Sequence, residues 1–189
     1  MKHLSLNQPH AIVMVGIPGS GKTFFAEKFA ETFHVPYIDY KKIAVLAGSE
    51  QTEALADYQL GELFKTGQSI IIEGETDTRV SRTELTRKAR KAGYEVLFIW
   101  VQSDTPTAKQ RALKDKVMPM NSEEYDKRVK RFTALTPLEK PVVISGKHTY
   151  ASQAKVVLQR LAAPRAEISA HTTAPTRLEQ PGRRNITIR

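Results

Sequence analysis

The sequence predicts an α/β fold: a five-stranded parallel sheet with helices packed on both faces, a three-layer αβα sandwich. Three observations point there. Five short apolar runs have strand length, the stretches between them have helical period, and the run 95–101 is apolar enough for burial on both faces. At 189 residues, with 40% apolar and 26% charged, the chain has room for one core. The periodicity spans residues 1–163, and 164–189 is expected to be a basic, largely disordered tail rich in Pro, Thr, Ala and Arg.

The elements follow in order. Residues 11–15 form a buried strand, then a Gly-rich turn, then a helix from Lys22 with Phe25, Phe29 and Phe33 on one stripe beside Ala26 and Ala30. Residues 35–38 are a second strand. Helices are expected over 41–47 and 53–65, the latter stopped by Gly67. The isoleucines of 69–73 mark a third strand, and 82–92 is a helix closing on Gly93. After the fourth strand, 95–101, two basic helices over 105–116 and 122–132 flank Met118-Pro119-Met120. A short fifth strand, 141–145, precedes a last helix, 150–161, with Ala154, Val157, Leu158 and Leu161 on one face. Residues 185–189 alternate as a strand would and are a candidate addition to a sheet edge.

Some classes are excluded at once. No apolar window approaches the length of a membrane span, and the N-terminus, Met1-Lys2-His3-Leu4-Ser5, lacks the apolar core of a signal peptide. Without cysteine there are no disulfides and no thiolate zinc sites. The expectation is a cytoplasmic monomer with no membrane partner.

Gly16-Ile17-Pro18-Gly19-Ser20-Gly21-Lys22-Thr23 matches G-x-x-x-x-G-K-[ST] at every fixed position, between a strand and a helix as that pattern requires. Glycines let backbone N–H groups converge on phosphate oxygens, and the helix N-terminus adds partial positive charge at the same point. Lys22 is placed to reach the β- and γ-phosphates of a nucleotide, and Thr23 to offer its hydroxyl to Mg²⁺. The expected nucleotide-binding set is Gly16, Pro18, Gly19, Ser20, Gly21, Lys22, Thr23 and Phe24.

Further candidates sit at the carboxyl ends of the other strands, where open α/β sheets hold their ligands. Asp39 follows the second strand and suits a catalytic base or a helix N-cap, roles that are compatible. Lys42 is a candidate for holding an anionic acceptor, or an exposed helix lysine. Glu73 ends the third strand and is the first candidate metal ligand, with Glu75 and Asp77 as alternatives. Arg79 and Arg82 flank the same mouth and could grip an acceptor phosphate.

The charge is +9, and it is concentrated: residues 79–131 hold fourteen Lys/Arg against seven Asp/Glu. A solvated helix face, a lid over a triphosphate (about 105–133) and a nucleic-acid surface all account for this excess. Arg111 is the preferred lid arginine, stabilising charge on a transferring phosphoryl group.

Written as G-x-P-G-S-G-K-T, with Asp39-Tyr40-Lys41-Lys42, Ile70-Ile71-Ile72-Glu73 and Arg111 following, the chain resembles the small phosphate-loop (P-loop) kinases. The nearest branch is the polynucleotide-kinase-like and zeta-toxin-like group, often labelled generically as AAA-family ATPases. The resemblance implies a P-loop NTPase sheet of order 2-3-1-4-5, binding of ATP and Mg²⁺, and transfer of the γ-phosphoryl to a hydroxyl. It implies Asp39 as base. Lys42 stands where that group carries arginine, and Glu73-Gly74-Glu75-Thr76 where it carries aspartate followed by Thr or Asn. The acceptors to consider are a nucleic-acid 5′-hydroxyl, a nucleotide, a nucleotide-sugar or another small metabolite. The rival from a different class is an ATP-hydrolysing switch that acts through a partner.

Overall fold

The isoleucine- and valine-rich runs pair into one parallel sheet, in a computed structural model that describes residues 4, 6–48, 50–74 and 76–163. The strands are β1 (His10–Val15), β2 (Tyr37–Asp39), β3 (Ile70–Glu73), β4 (Glu95–Gln102) and β5 (Val142–Ser145). Their order is β2-β3-β1-β4-β5, and every pairing is parallel. Seven helices connect them among the described residues: α1 (Lys22–Phe33), α2 (Tyr40–Ala47), α3 (Thr52–Phe64), α4 (Arg79–Lys91), α5 (Thr105–Leu113), α6 (Ser122–Arg131) and α7 (Tyr150–Ala162). A 3-10 turn, Pro137–Glu139, precedes β5 and carried no signal in the hydrophobic pattern.

Alternation along the strands divides the core in two. Ile12, Met14, Ile71, Ile99 and Val101 face α1 and α7, where Phe25, Phe29, Val157 and Leu161 complete one cluster. Ala11, Val13, Ile70, Ile72 and Phe98 face the other way, onto Ala56 and Leu60 of α3 and Ala89 of α4. Each buried isoleucine in these layers contributes about 1.5–3 kcal/mol. With parallel strands, all five carboxyl ends lie on one edge, and the β1–α1 loop, Asp39 and Glu73 come together there.

Element ends shift from the sequence expectation by one to three residues, and one shift has consequences. α4 begins at Arg79, because the Thr78 side chain accepts from the Ser81 N–H and caps it. Arg82 therefore lies a full turn inside the helix and is 1% exposed. Its Nε donates to Glu139 Oε1 at 2.6 Å, and its Nη1 donates to the Thr76 and Thr133 carbonyls. The expected acceptor-gripping role for Arg82 is thus corrected: its guanidinium ties α4 to the turn before β5. Arg79 is exposed on the first turn of α4.

Burial alone would raise the Glu139 carboxyl, but the Arg82 guanidinium and the Thr136 donors outweigh it and hold Glu139 below the usual carboxylate range. A depressed carboxylate adds stability that is complete above the ordinary pKa and is lost as pH falls through the lowered one. Arg82→Met should destabilise the fold by about 3–5 kcal/mol, since it strands the partner charge. The same substitution should flatten that part of the acid limb in denaturant melts taken across pH. Arg79→Ala should stay within about 0.5 kcal/mol of wild type.

Candidate functional site

The loop between β1 and α1 is shaped by contacts that leave no space for side chains. Gly19 has φ +72°, and a Cβ there would overlap the Ala108 carbonyl of α5. Gly16, at φ +150°, would carry its Cβ to 2.5 Å from the Val101 carbonyl oxygen. On the other side, a Cβ on Gly146 in the β5–α7 turn would strike the Ser20 carbonyl. The loop is therefore wedged between α5 and the β5–α7 turn, with its N–H groups directed by backbone geometry. Ser20 is fully buried, and its Oγ has no hydrogen-bond partner.

From this loop Lys22 turns back, its Nζ donating to the Gly16 and Ile17 carbonyls at 2.7 and 3.1 Å. Desolvation pulls the Lys22 pKa down, and the Glu73 and Asp77 carboxylates pull against it. Thr23 Oγ1 donates to Glu73 Oε1 at 2.8 Å, and Tyr37 OH donates to Glu73 Oε2 at 2.8 Å. Burial pushes the Glu73 carboxyl up, opposed by Lys22 and these two hydrogen bonds. Burial and the adjacent Glu73 charge push Tyr37 well above its ordinary value.

Asp39 is buried at the end of β2 and caps α2, accepting from the N–H groups of Lys41 (2.9 Å) and Lys42 (3.3 Å). Both bonds fall on Oδ1. The carboxylate also lines the cavity beside the loop.

That cavity measures about 390 Å³. Its walls include Pro18, Gly19, Gly21, Lys22, Thr23 and Phe24 from the loop and first helical turn, with Asp39, Lys41, Glu73 and Asp77 from the sheet edge. Arg111, Asp115, Met118, Met120, Arg128 and Arg131 from α5, α6 and their connection close it. Arg111 Nη1 also donates to the Gly146 carbonyl at 3.3 Å. Two ion pairs cross between the sheet edge and these helices: Lys41 with Asp115, and Arg131 Nη2 with Asp77 at 2.9 Å.

Most residues singled out in the sequence are thus brought together, but Gly16, Ser20 and the three expected acceptor residues are not among the cavity walls. Arg82 is buried in the α4 packing and Arg79 lies outside. Lys42 points away from the cavity, pairing with Glu27 at 2.7 Å and lying over the Tyr37 ring. Its neighbour Lys41 lines the cavity instead. The signal for this was the Asp39 cap, which fixes the rotation of α2 and so decides which lysine faces inward. Glu75 and residues 164–189 lie outside the described residues, as does the edge-strand expectation for 185–189.

No family model matches the chain, and no curated protein matches it in sequence. Solved structures do match. A gluconokinase from Sinorhizobium meliloti superposes with TM-score 0.61 at 17% identity, covering 82% of this chain and 92% of that one. A sugar kinase from Janibacter gives 0.59 at 20% identity, covering 83% and 99%. Chaetomium thermophilum Kti12 in complex with ADP-AlF3 gives 0.66 at 17% identity, covering 82% and 100%. The chain has the fold of the P-loop kinases, as its sequence motif and strand order also indicate.

Gly19→Ala adds a clash with α5 to the strain of positive φ. Gly48→Ala, at φ +82° with nothing within 4 Å, adds strain alone. The first should lower the denaturation midpoint distinctly more than the second, whose cost is about 1–3 kcal/mol. Equal losses would mean that α5 does not press on the loop.

Proposed function

We propose that the protein is an ATP-dependent kinase that transfers the γ-phosphoryl group to the hydroxyl of a small acceptor held in the 390 Å³ cavity. The observation that carries this reading is convergence. The phosphate loop, a Thr23-bonded acid, a buried carboxylate and three arginines line one cavity.

The chemistry follows from these positions. Loop N–H groups and Lys22 take the phosphates, replacing the two carbonyls that hold the ammonium in their absence. Thr23 Oγ1 and the Glu73 carboxylate, 2.8 Å apart, are adjacent hard oxygen donors, which fits Mg²⁺ bound through one carboxylate and substrate phosphates. When bound, the ion neutralises charge building on the phosphate oxygens. Asp39 is held by its two capping bonds on Oδ1, and its carboxylate accepts the proton of the acceptor hydroxyl as that oxygen bonds to the γ-phosphorus and the bond from the γ-phosphorus to the bridging oxygen breaks, releasing ADP. Arg111 and Arg128 face the charge that spreads over the transferring group. Helices α5 and α6 act as a lid, and Lys41–Asp115 and Arg131–Asp77 are its contacts with the sheet edge.

A small acceptor is favoured over a polynucleotide for two reasons. The cavity has the size of a small-molecule site. In addition, several cations of the basic zone are taken by carboxylates of the chain: Lys88 by Asp57, Lys109 by Asp126, Lys127 by Glu123 and Arg131 by Asp77. The gluconokinase and sugar kinase matches support the same choice.

The test uses γ-labelled ATP with Mg²⁺ and separate acceptors: a sugar-acid and polyol panel, a nucleotide-sugar, and a 5′-hydroxyl oligonucleotide. Label is expected on a small hydroxyl compound. Label on the oligonucleotide would replace the acceptor assignment, and release only as free phosphate would support an ATP-hydrolysing switch instead. In the productive assay, Lys22→Ala should abolish transfer. Asp39→Asn should keep ATP affinity while slowing transfer by about 10² or more.

The lysines make a second check. Lys41→Ala should raise the acceptor KM, whereas Lys42→Ala, whose ammonium pairs with Glu27 and lies over the Tyr37 ring rather than among the cavity walls, should leave steady-state kinetics near wild type.

A further inference from the structure

Glu73 is held by two donors that stand in different places. Thr23, which donates to Oε1 at 2.8 Å, is a wall of the 390 Å³ cavity. Tyr37, which donates to Oε2 at 2.8 Å, is not among those walls. The two carboxylate oxygens are therefore unequal. Oε1 meets its partner at the cavity, and Oε2 is bound by a residue from outside it.

The sheet register builds this second contact. β2 and β3 run parallel, with Tyr37 opposite Ile71 and Asp39 opposite Glu73. Side chains two residues apart on a strand share a face, so Tyr37 stands diagonally beside Glu73 on the face that packs against α1. The Tyr37 ring is half-buried against the cluster that contains Phe25, Phe29 and Ile71. The Lys42 ammonium, paired with Glu27, lies 5.5 Å from the centroid of the same ring. A ring packed in this way holds its hydroxyl, and with it Oε2, in one place.

We propose that Tyr37 is a positioning residue that makes the Glu73 corner selective for Mg²⁺ over Ca²⁺, by engaging Oε2 so that Glu73 presents Oε1 alone to the ion. This rests on the Thr23–Glu73 metal corner of the proposed function. Mg²⁺ is small, keeps several of its waters and needs few protein oxygens. Ca²⁺ takes about six to eight oxygens, and a carboxylate that gives it both is an advantage. Among the described residues no three His, Cys, Asp or Glu side chains gather into a candidate metal cluster, so no carboxylate cage replaces the oxygen that Tyr37 withholds. A carboxylate anchored at one oxygen is also less able to turn toward a larger ion, and outer hydrogen bonds of this kind orient the ligand they touch.

The experiment titrates ATP calorimetrically into the full-length wild type and Tyr37→Phe, each with Mg²⁺, with Ca²⁺ and with neither. Phenylalanine keeps the ring and removes the donor. In wild type, Mg²⁺ should tighten ATP binding about tenfold more than Ca²⁺ does. In the variant that advantage should shrink about tenfold as Ca²⁺ gains, while ATP binding without either ion stays near wild type. Equal gains from the two ions in wild type would overturn the proposal whether or not the variant folds. A Mg²⁺ advantage that is the same in both proteins, or gains from both ions that fall by one common factor, would overturn it too, leaving Tyr37 a structural support of the corner. No gain from Mg²⁺ in wild type would instead remove the metal corner itself, and this inference with it.

Discussion

The hydrogen bonds onto Glu73 are the constraint around which the site is organised. One carboxylate at the end of β3 accepts from Thr23, the first-turn hydroxyl of α1, and from Tyr37 at the start of β2. Three separate segments of chain are thereby held at one point of the sheet edge. Burial makes the ionised carboxylate costly, and the Lys22 ammonium and the two hydroxyl donors offset that cost. The same groups that stabilise the acid are those that would handle phosphate and metal. Moving any one of them changes the electrostatics of the others.

The loop that carries Lys22 has little freedom of its own. Gly19 lies against α5, and Gly146 lies against Ser20, both at distances that no side chain permits. Helix α5 is therefore packed directly on the loop rather than lying over it at a distance. From that anchor, α5 and α6 extend over the cavity and return two ion pairs to the sheet edge. Such partly exposed pairs each contribute little to stability. They can exchange for substrate charges at low cost, which suits a proposed lid better than a fixed wall.

Much of this was legible in the sequence because it depends on local pattern. Apolar runs located all five strands, the G-x-x-x-x-G-K-T spacing located the loop, and the position of Asp39 and Glu73 after strands put both at the cavity. Order 2-3-1-4-5 came through the kinase resemblance, since no periodicity encodes which strands are neighbours. What was not legible depended on rotation and on partners distant in sequence. A helix that starts at residue 82 puts Arg82 at the mouth, whereas the actual start at Arg79 puts it a turn inside. Its partner Glu139 lies 57 residues away, in a turn with no hydrophobic signature. Lys41 and Lys42 are adjacent in sequence, and only the capping geometry at Asp39 separates the inward one from the outward one. The basic zone likewise leaves a solvated face, a lid and a nucleic-acid surface open in the sequence, because carboxylate partners such as Asp57 and Asp77 lie 31 and 54 residues from the cations they pair with.

The most direct measurement is calorimetric titration of ATP into wild type and Glu73→Gln, each with and without Mg²⁺. Glutamine preserves an acceptor for Thr23 or Tyr37 but removes the charge that would hold the ion. If Thr23 and Glu73 form the metal-binding corner of a nucleotide site, Mg²⁺ should tighten ATP binding to wild type by about tenfold or more. It should do little for the variant, which should still bind ATP through the loop. An equal gain from Mg²⁺ in both proteins, or no ATP binding by wild type, would contradict the account.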